Sequence, residues 1–138
     1  MIEILKVQEI VREAAKIFSN RNAAEQIKQK GVFDYVTAID EAVQEFIQKE
    51  LSDLYPQIQF MGEEKDNSDI DMSGQVWVLD PVDGTTNLIH DYQNSAISLA
   101  LIDNSEIILG IIYNPFSDEM FYAEKDKGSF LNGKRIYV

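Results

Sequence analysis

Residues 77–90 read Trp77-Val78-Leu79-Asp80-Pro81-Val82-Asp83-Gly84-Thr85-Thr86-Asn87-Leu88-Ile89-His90, an apolar, strand-like run that stops at two aspartates and passes straight into Gly-Thr-Thr. Pro81 fixes its own φ and pushes Asp80 out of the helical region. Asp80-Pro81-Val82-Asp83 is therefore expected to turn, setting both carboxylates on one side and exposing the Val82 carbonyl. Gly84 lets the backbone approach an anion closely, and Thr85 and Thr86 are expected to open a short helical turn whose N–H groups hold phosphate. A second acidic element, Gly62-Glu63-Glu64, follows the short apolar segment Phe60-Met61. Two strand ends can thus deliver Glu63, Asp80 and Asp83 to one place. Three converging carboxylates suit a hard cation such as Mg²⁺, which takes oxygen ligands in near-octahedral geometry and keeps several waters.

Each piece has a plainer explanation. Asp-Pro and Asp-Gly are ordinary turn dipeptides, and Asp80 to Gly84 alone reads as a solvated turn. The joint occurrence of strand, Asp-Pro-x-Asp-Gly, paired threonines and an upstream Gly-Glu-Glu favours a site, because a structural turn needs none of the others. His90, the only histidine, is read as a helix-end residue rather than an acid–base group.

Outward from this stretch, Ile4, Val7, Val11, Ala14 and Phe18 recur at spacings of three and four, which predicts one long amphipathic helix from about Ile2 to about Gln29. Val43, Phe46, Ile47, Leu51 and Leu54 repeat the pattern in a second helix, with Glu41, Glu45 and Gln48 on its wet face and Tyr55-Pro56 at its end. Thr37-Ala38-Ile39-Asp40 is close to a capping box that would start it. A strand over Gln57 to Met61 follows, and Lys65 to Gly74, polar and without periodicity, is a surface loop. Ser95 to Ile102, Ile107 to Tyr113, Met120 to Ala123 and Ser129 to Leu131 are β-rich runs separated by turn residues, with a hairpin signal at Asn132-Gly133. They predict an antiparallel meander. Ile97, Leu99 and Leu101 face one side, whereas Ile107 to Ile112 is apolar on both faces and should be covered on both. The fold class is α+β, two N-terminal helices packed on a mainly antiparallel sheet.

The 138 residues, 45% of them hydrophobic, suffice for one core and suggest a single domain. A net charge of −12 argues against nucleic acid as a partner, since a basic patch is what that needs. The absence of cysteine, of an export signal and of a long apolar run predicts a cytoplasmic protein with no membrane partner.

These residues carry a resemblance. Trp77, Asp80, Pro81, Asp83, Gly84, Thr85 and Asn87 fill every fixed position of Trp-x-x-Asp-Pro-x-Asp-Gly-Thr-x-Asn, the first signature of the inositol monophosphatase family of magnesium-dependent, typically lithium-sensitive phosphatases. Asp34-Tyr35-Val36-Thr37-Ala38-Ile39-Asp40 resembles the family's Asp-x-Val-Thr-x-x-Asp, and Gly128-Ser129-Phe130-Leu131-Asn132-Gly133 its later motif. The resemblance runs the length of the chain. It implies that Glu63, Asp80, Asp83 and the Val82 carbonyl ligate Mg²⁺, two or three ions in a complete site, with Glu64 behind them. It also implies that Thr85 with Asp40 orients and helps deprotonate the attacking water, and that the N–H groups of Gly84 and Thr85 bind phosphate. Asp40 keeps its capping explanation beside this one.

The implied activity is hydrolysis of a small phosphate monoester, myo-inositol monophosphate foremost, by water activated at the metals. A bisphosphate nucleotidase or a fructose bisphosphatase shares the same core site, and a noncatalytic metal-binding or interaction domain is the alternative of another class. Three departures stand out: neither Lys28 nor Lys30 falls in register with the family's lysine before Asp-x-Val-Thr, Leu88 replaces the commoner phenylalanine, and Tyr35 the commoner leucine. The chain also stops early for the family, whose second domain adds a further metal-binding aspartate and most substrate-hydroxyl contacts. Residues 1–138 are thus expected to be the N-terminal metal- and phosphate-binding domain of a homodimeric enzyme. Alone they should turn over little and self-associate through the sheet face that a second domain normally covers.

Overall fold

Apolar residues three and four apart build the first layer. In the computed structural model of the chain, which describes residues 2–21, 27–29, 35–63 and 65–137, helix α1 (Ile4–Ala15) buries Val7, Ile10, Val11 and Ala14. A 3-10 turn over Lys16–Ser19 then adds Phe18 to the core. The helix predicted to reach Gln29 is therefore much shorter, and Ile27–Gln29 is a strand, β1, paired antiparallel with β2 (Tyr35–Thr37). The cause is local. Positions three and four beyond Phe18 are Arg21 and Asn22, so no apolar stripe continues, and Ser19 and Asn20 carry short polar groups that compete with helical hydrogen bonds. Ser19 Oγ donates to the Lys16 carbonyl at 2.9 Å.

Helix α2 (Ala38–Leu54) starts at the capping box the sequence suggests. Thr37 Oγ1 accepts from the N–H groups of Ile39 at 3.1 Å and Asp40 at 3.4 Å, while Asp40 Oδ2 accepts from the Thr37 N–H at 3.3 Å. Such a cap contributes about 1 kcal/mol. Val43, Ile47 and Leu51 are buried and Phe46 packs against them, but Leu54, expected inward, is 43% exposed because the helix ends there. Pro56 cannot prolong it.

Both helices cover one face of a seven-stranded sheet in the order β3 (Gln59–Gly62), β4 (Gln75–Asp83), β5 (Ala96–Asp103), β6 (Glu106–Asn114), β7 (Glu119–Glu124), β8 (Gly128–Leu131), β9 (Lys134–Ile136). From β4 onward every neighbour is the next strand in sequence and antiparallel; only β3 and β4 are parallel. Asn132 and Gly133, with φ of 48° and 85°, supply the two left-handed residues of the last hairpin. Trp77, Leu79, Ile97, Leu99, Leu101, Leu109, Ile111 and Met120 face the helices and complete one core.

The opposite face is the apolar sheet face expected to need another layer. Ile107 and Ile112 are 64% and 50% exposed, and with Phe121 and Ile136 they line an open apolar hollow of about 430 Å³ floored by Ala100 and Gly110. Among the described residues only one face of β6 is covered. Continuous apolarity along a strand thus marks two apolar faces without showing that this chain covers both. No helix among the described residues is long and apolar enough to cross a membrane.

Candidate active site

Because β3 and β4 are parallel, with Gly62 beside Leu79, their C-terminal ends open at the same edge of the sheet. Glu63 is the first residue past β3, held by its N–H donating to the Leu79 carbonyl at 3.3 Å, and Asp80 is the next residue on β4. The two carboxyl groups meet. Burial pushes the Asp80 carboxyl up to about 7, the hydrogen-bonded and charged Glu63 carboxyl adds to the rise, and so does the negative charge of Asp83, while a bond from the Val82 N–H opposes it. Asp83 acts on Asp80 through space.

The expected turn over Asp80–Asp83 is not formed. Strand β4 continues to Asp83, but Asp80 lies opposite Ser98 and Asp83 opposite Ala96, so three steps along β4 span two along β5. This is a β-bulge, one of the few places in a sheet where proline fits, because the ladder is already broken there and no N–H is required of Pro81. Residues three apart in a regular strand point to opposite faces. The extra residue lets Asp80 and Asp83 share one side, which is the outcome the turn was invoked to produce.

Gly84 then adopts the left-handed conformation, φ 91° and ψ 43°, and begins helix α3 (Thr85–Ile89). A Cβ at this position would stand 3.0 Å from the Asn94 carbonyl oxygen, so glycine is required by both φ and space. Thr85 Oγ1 lies 3.1 Å from Asp40 Oδ1 and 3.1 Å from the Val82 carbonyl, sharing one proton between two acceptors. Asp40 is 2% exposed. Its Oδ2 serves the cap of α2, taking the Thr37 hydroxyl at 2.7 Å, while its Oδ1 reaches Thr85. The two explanations of Asp40 rest on different oxygens.

His90 ends α3 as expected, exposed and stacked on Tyr92 with ring centroids 5.5 Å apart. Arg21 Nη1 and Nη2 donate to the carbonyls of Leu88 at 2.7 Å and Ile89 at 3.1 Å, tying the end of α3 to the N-terminal segment. Glu64, Lys30 and Asp34 lie outside the described residues, and only the backbone of Lys28 is described, in β1.

The edge therefore gathers Glu63 with Asp80, and Thr85 with Asp40 and the Val82 carbonyl, with Asp83 beside them. Among the described residues no three acidic or histidine side chains already stand in a metal-holding arrangement. The donor set nonetheless suits a hard cation. Asp80 Oδ1 is buried without a hydrogen-bond partner, on a carboxyl group that interacts with Glu63 and Asp83, a position that a divalent ion with oxygen preference would satisfy. Two further residues gave no local signal of a role. Gln44, 6% exposed, packs one turn beyond Asp40 on α2 against Gly62, a neighbour that only the four-residue spacing hints at. Ser95, 3% exposed, donates its hydroxyl to the Gly84 carbonyl at 2.7 Å, a contact no sequence pattern announces.

The sequence model of the inositol monophosphatase family matches residues 2–138, and the chain belongs to that family. It is 42% identical over 134 residues to an inositol monophosphatase of Dictyostelium discoideum, covering 94% of this chain and 49% of that protein. A fructose-1,6-bisphosphatase/inositol-1-monophosphatase of Thermotoga maritima is 39% identical over 111 residues, 80% of this chain and 42% of that one. The crystal structure of extragenic suppressor protein suhB from Bartonella henselae superposes with a TM-score of 0.88 at 33% identity, covering 98% of this chain and 54% of that one. The chain spans about half the length of the curated relatives it matches.

Proposed function

We propose that this chain is the N-terminal, metal- and phosphate-binding part of a cytoplasmic, Mg²⁺-dependent phosphatase that hydrolyses a small phosphate monoester, with myo-inositol monophosphate as the first candidate substrate. The observation that carries the reading is the meeting of Glu63 and Asp80 at adjacent strand ends, with Asp83 on the same side of the bulge. Family membership supports the class of reaction. The name of the Thermotoga relative keeps fructose 1,6-bisphosphate as a second substrate to test.

Glu63, Asp80, Asp83 and the Val82 carbonyl would hold the magnesium. When bound, it supplies charge neutralisation at the phosphoryl group and makes loss of a proton from water easier. The chain's own residues provide the positioning. Thr85 Oγ1, fixed between Asp40 Oδ1 and the Val82 carbonyl, orients the attacking water and passes its proton towards the buried Asp40 carboxylate. The N–H groups of Gly84 and Thr85 orient the phosphate. In this reading water is the nucleophile, oriented by Thr85 Oγ1, and His90, at the exposed end of α3, has no part in it.

Calorimetric Mg²⁺ titration should detect binding to this chain. It should weaken below pH 7, by up to about tenfold per pH unit, because the proton on Asp80 must leave first. Phosphate release from inositol monophosphate, fructose 1,6-bisphosphate and a nucleoside bisphosphate is then compared with and without Mg²⁺, for this chain and for one extended to the length of its relatives. The reading predicts release by the extended chain that requires Mg²⁺ and is fastest with inositol monophosphate, with little or none from residues 1–138 alone. Release indifferent to Mg²⁺, or no Mg²⁺ binding at any pH, would overturn it.

A further inference from the structure

Segment 94–95 crowds Gly84 from one side. Besides the Ser95 hydroxyl at 2.7 Å from the Gly84 carbonyl oxygen, Asn87 Nδ2 donates to the Asn94 carbonyl at 2.9 Å, so the start of α3 is stitched to the chain that enters β5. The Gly84 carbonyl accepts twice, from Ser95 and from the Leu88 N–H at 3.0 Å. Its partner in the same peptide unit is the Thr85 N–H, which points the opposite way across a planar trans peptide. As the first residue of α3, Thr85 has no acceptor for that N–H within the helix. Two donors on the carbonyl therefore fix the direction of the N–H and polarise it, since hydrogen bonds in a chain strengthen one another.

We propose that Ser95 is a positioning residue: through the Gly84–Thr85 peptide its buried hydroxyl aims and strengthens the Thr85 N–H as a donor to the substrate phosphate, the group this N–H binds in the reading above. Ser95 itself touches no substrate. A solely structural serine would support the fold and leave anion affinity alone.

The test uses the chain extended to the length of its relatives, with Mg²⁺ and inorganic phosphate as the probe, titrated by calorimetry. Ser95→Ala should weaken phosphate binding about tenfold, the loss expected for one well-formed hydrogen bond. Mg²⁺ affinity measured without phosphate should stay within about twofold, a discrimination that a general loosening of the fold would not give. Ser95→Thr, which keeps the hydroxyl, should restore phosphate affinity. If Ser95→Ala does not fold, Ser95→Cys, similar in size but a weak donor, should show a several-fold loss in its place. Wild-type phosphate affinity in the alanine or cysteine variant, or equal losses in the alanine and threonine variants, overturns the role of Ser95 while leaving the phosphatase reading standing. If the extended wild type itself takes no phosphate with Mg²⁺ present, the phosphatase reading fails and Ser95 falls with it.

Discussion

Asp80→Asn is expected to abolish Mg²⁺-dependent phosphate release by the chain extended to the length of its relatives, and yet to leave the metal-free chain more stable at pH 8 than wild type. The loss should reach about a thousandfold, the rate equivalent of roughly 4 kcal/mol of charge stabilisation withdrawn from the transition state. The gain has a separate origin. At pH 8, with the metal removed, the half-buried Asp80 carboxylate stands beside Glu63 and near Asp83, and its Oδ1 accepts no hydrogen bond. A carboxyl whose folded-state pKa is about 7, against 3.8 ordinarily, makes the folded chain the better proton binder. The stability it contributes is full below pH 4 and is lost as pH rises through 7. Asparagine removes that loss and should recover about 1 kcal/mol, a figure reduced for the solvent that still reaches the group. Thermal unfolding in a chelator at pH 5 and pH 8 gives the comparison. Wild type should lose stability between the two and Asp80→Asn should lose less. Asp83→Asn should lose activity equally but gain less, because Asp83 is exposed. Retained turnover in the Asp80 variant would sink the ligand assignment, and a variant less stable than wild type at pH 8 would sink the electrostatic account.

Gly62→Ala should damage the same site from its other wall. An added methyl would collide with Gln44 Oε1, stand 2.7 Å from Gln44 Cδ and 3.1 Å from the Phe60 ring. A glutamine tip in solvent would swing aside, but this one is buried between α2 and the end of β3. Overpacking of this kind destabilises by about 1–3 kcal/mol. The displaced residue is followed immediately by Glu63, so Mg²⁺ affinity should fall as well, about tenfold or more if that carboxyl leaves Asp80. Gln44→Ala in the same chain makes room for the methyl. The double variant should therefore be more stable than the sum of the two single changes, a coupling expected only of groups in contact. Additive losses in unfolding measurements would show that the two residues do not press on one another.

The sequence was most informative where a local rule and the tertiary structure agree. The stripe through Val7, Val11 and Ala14, the capping box at Thr37–Asp40 and the alternation of Ile97, Leu99 and Leu101 were all legible for that reason. Where two local rules compete, reading fails in a definable way. Asp-Pro and Asp-Gly score as turns, and only the pairing of β4 with β5 converts the segment into a bulge. The long first helix was overextended because the stripe through Ala14 and Phe18 was carried on past Arg21 and Asn22, whereas Ile27–Gln29 pairs as a strand. The carboxylates were legible because a hard-cation site calls for oxygen ligands at strand ends. The contacts of Ser95 and Gln44 were not, because a serine or glutamine acquires such a contact only from the neighbour that the fold brings to it.

The uncovered sheet face, with Ile107, Ile112, Phe121 and Ile136, belongs to a molecule of net charge −12. Two opposing forces of different range follow. Like charge holds chains apart over a distance that dissolved salt shortens to about 8 Å at physiological ionic strength, whereas apolar attraction acts at contact and is reinforced by sulfate. Ionic strength should therefore act as the control: monomers in dilute buffer, larger particles in ammonium sulfate, and precipitation as acid brings the pH towards the isoelectric value of 4.3. Light scattering that stays flat across this range would mean that the face is too small or too irregular to hold a second molecule.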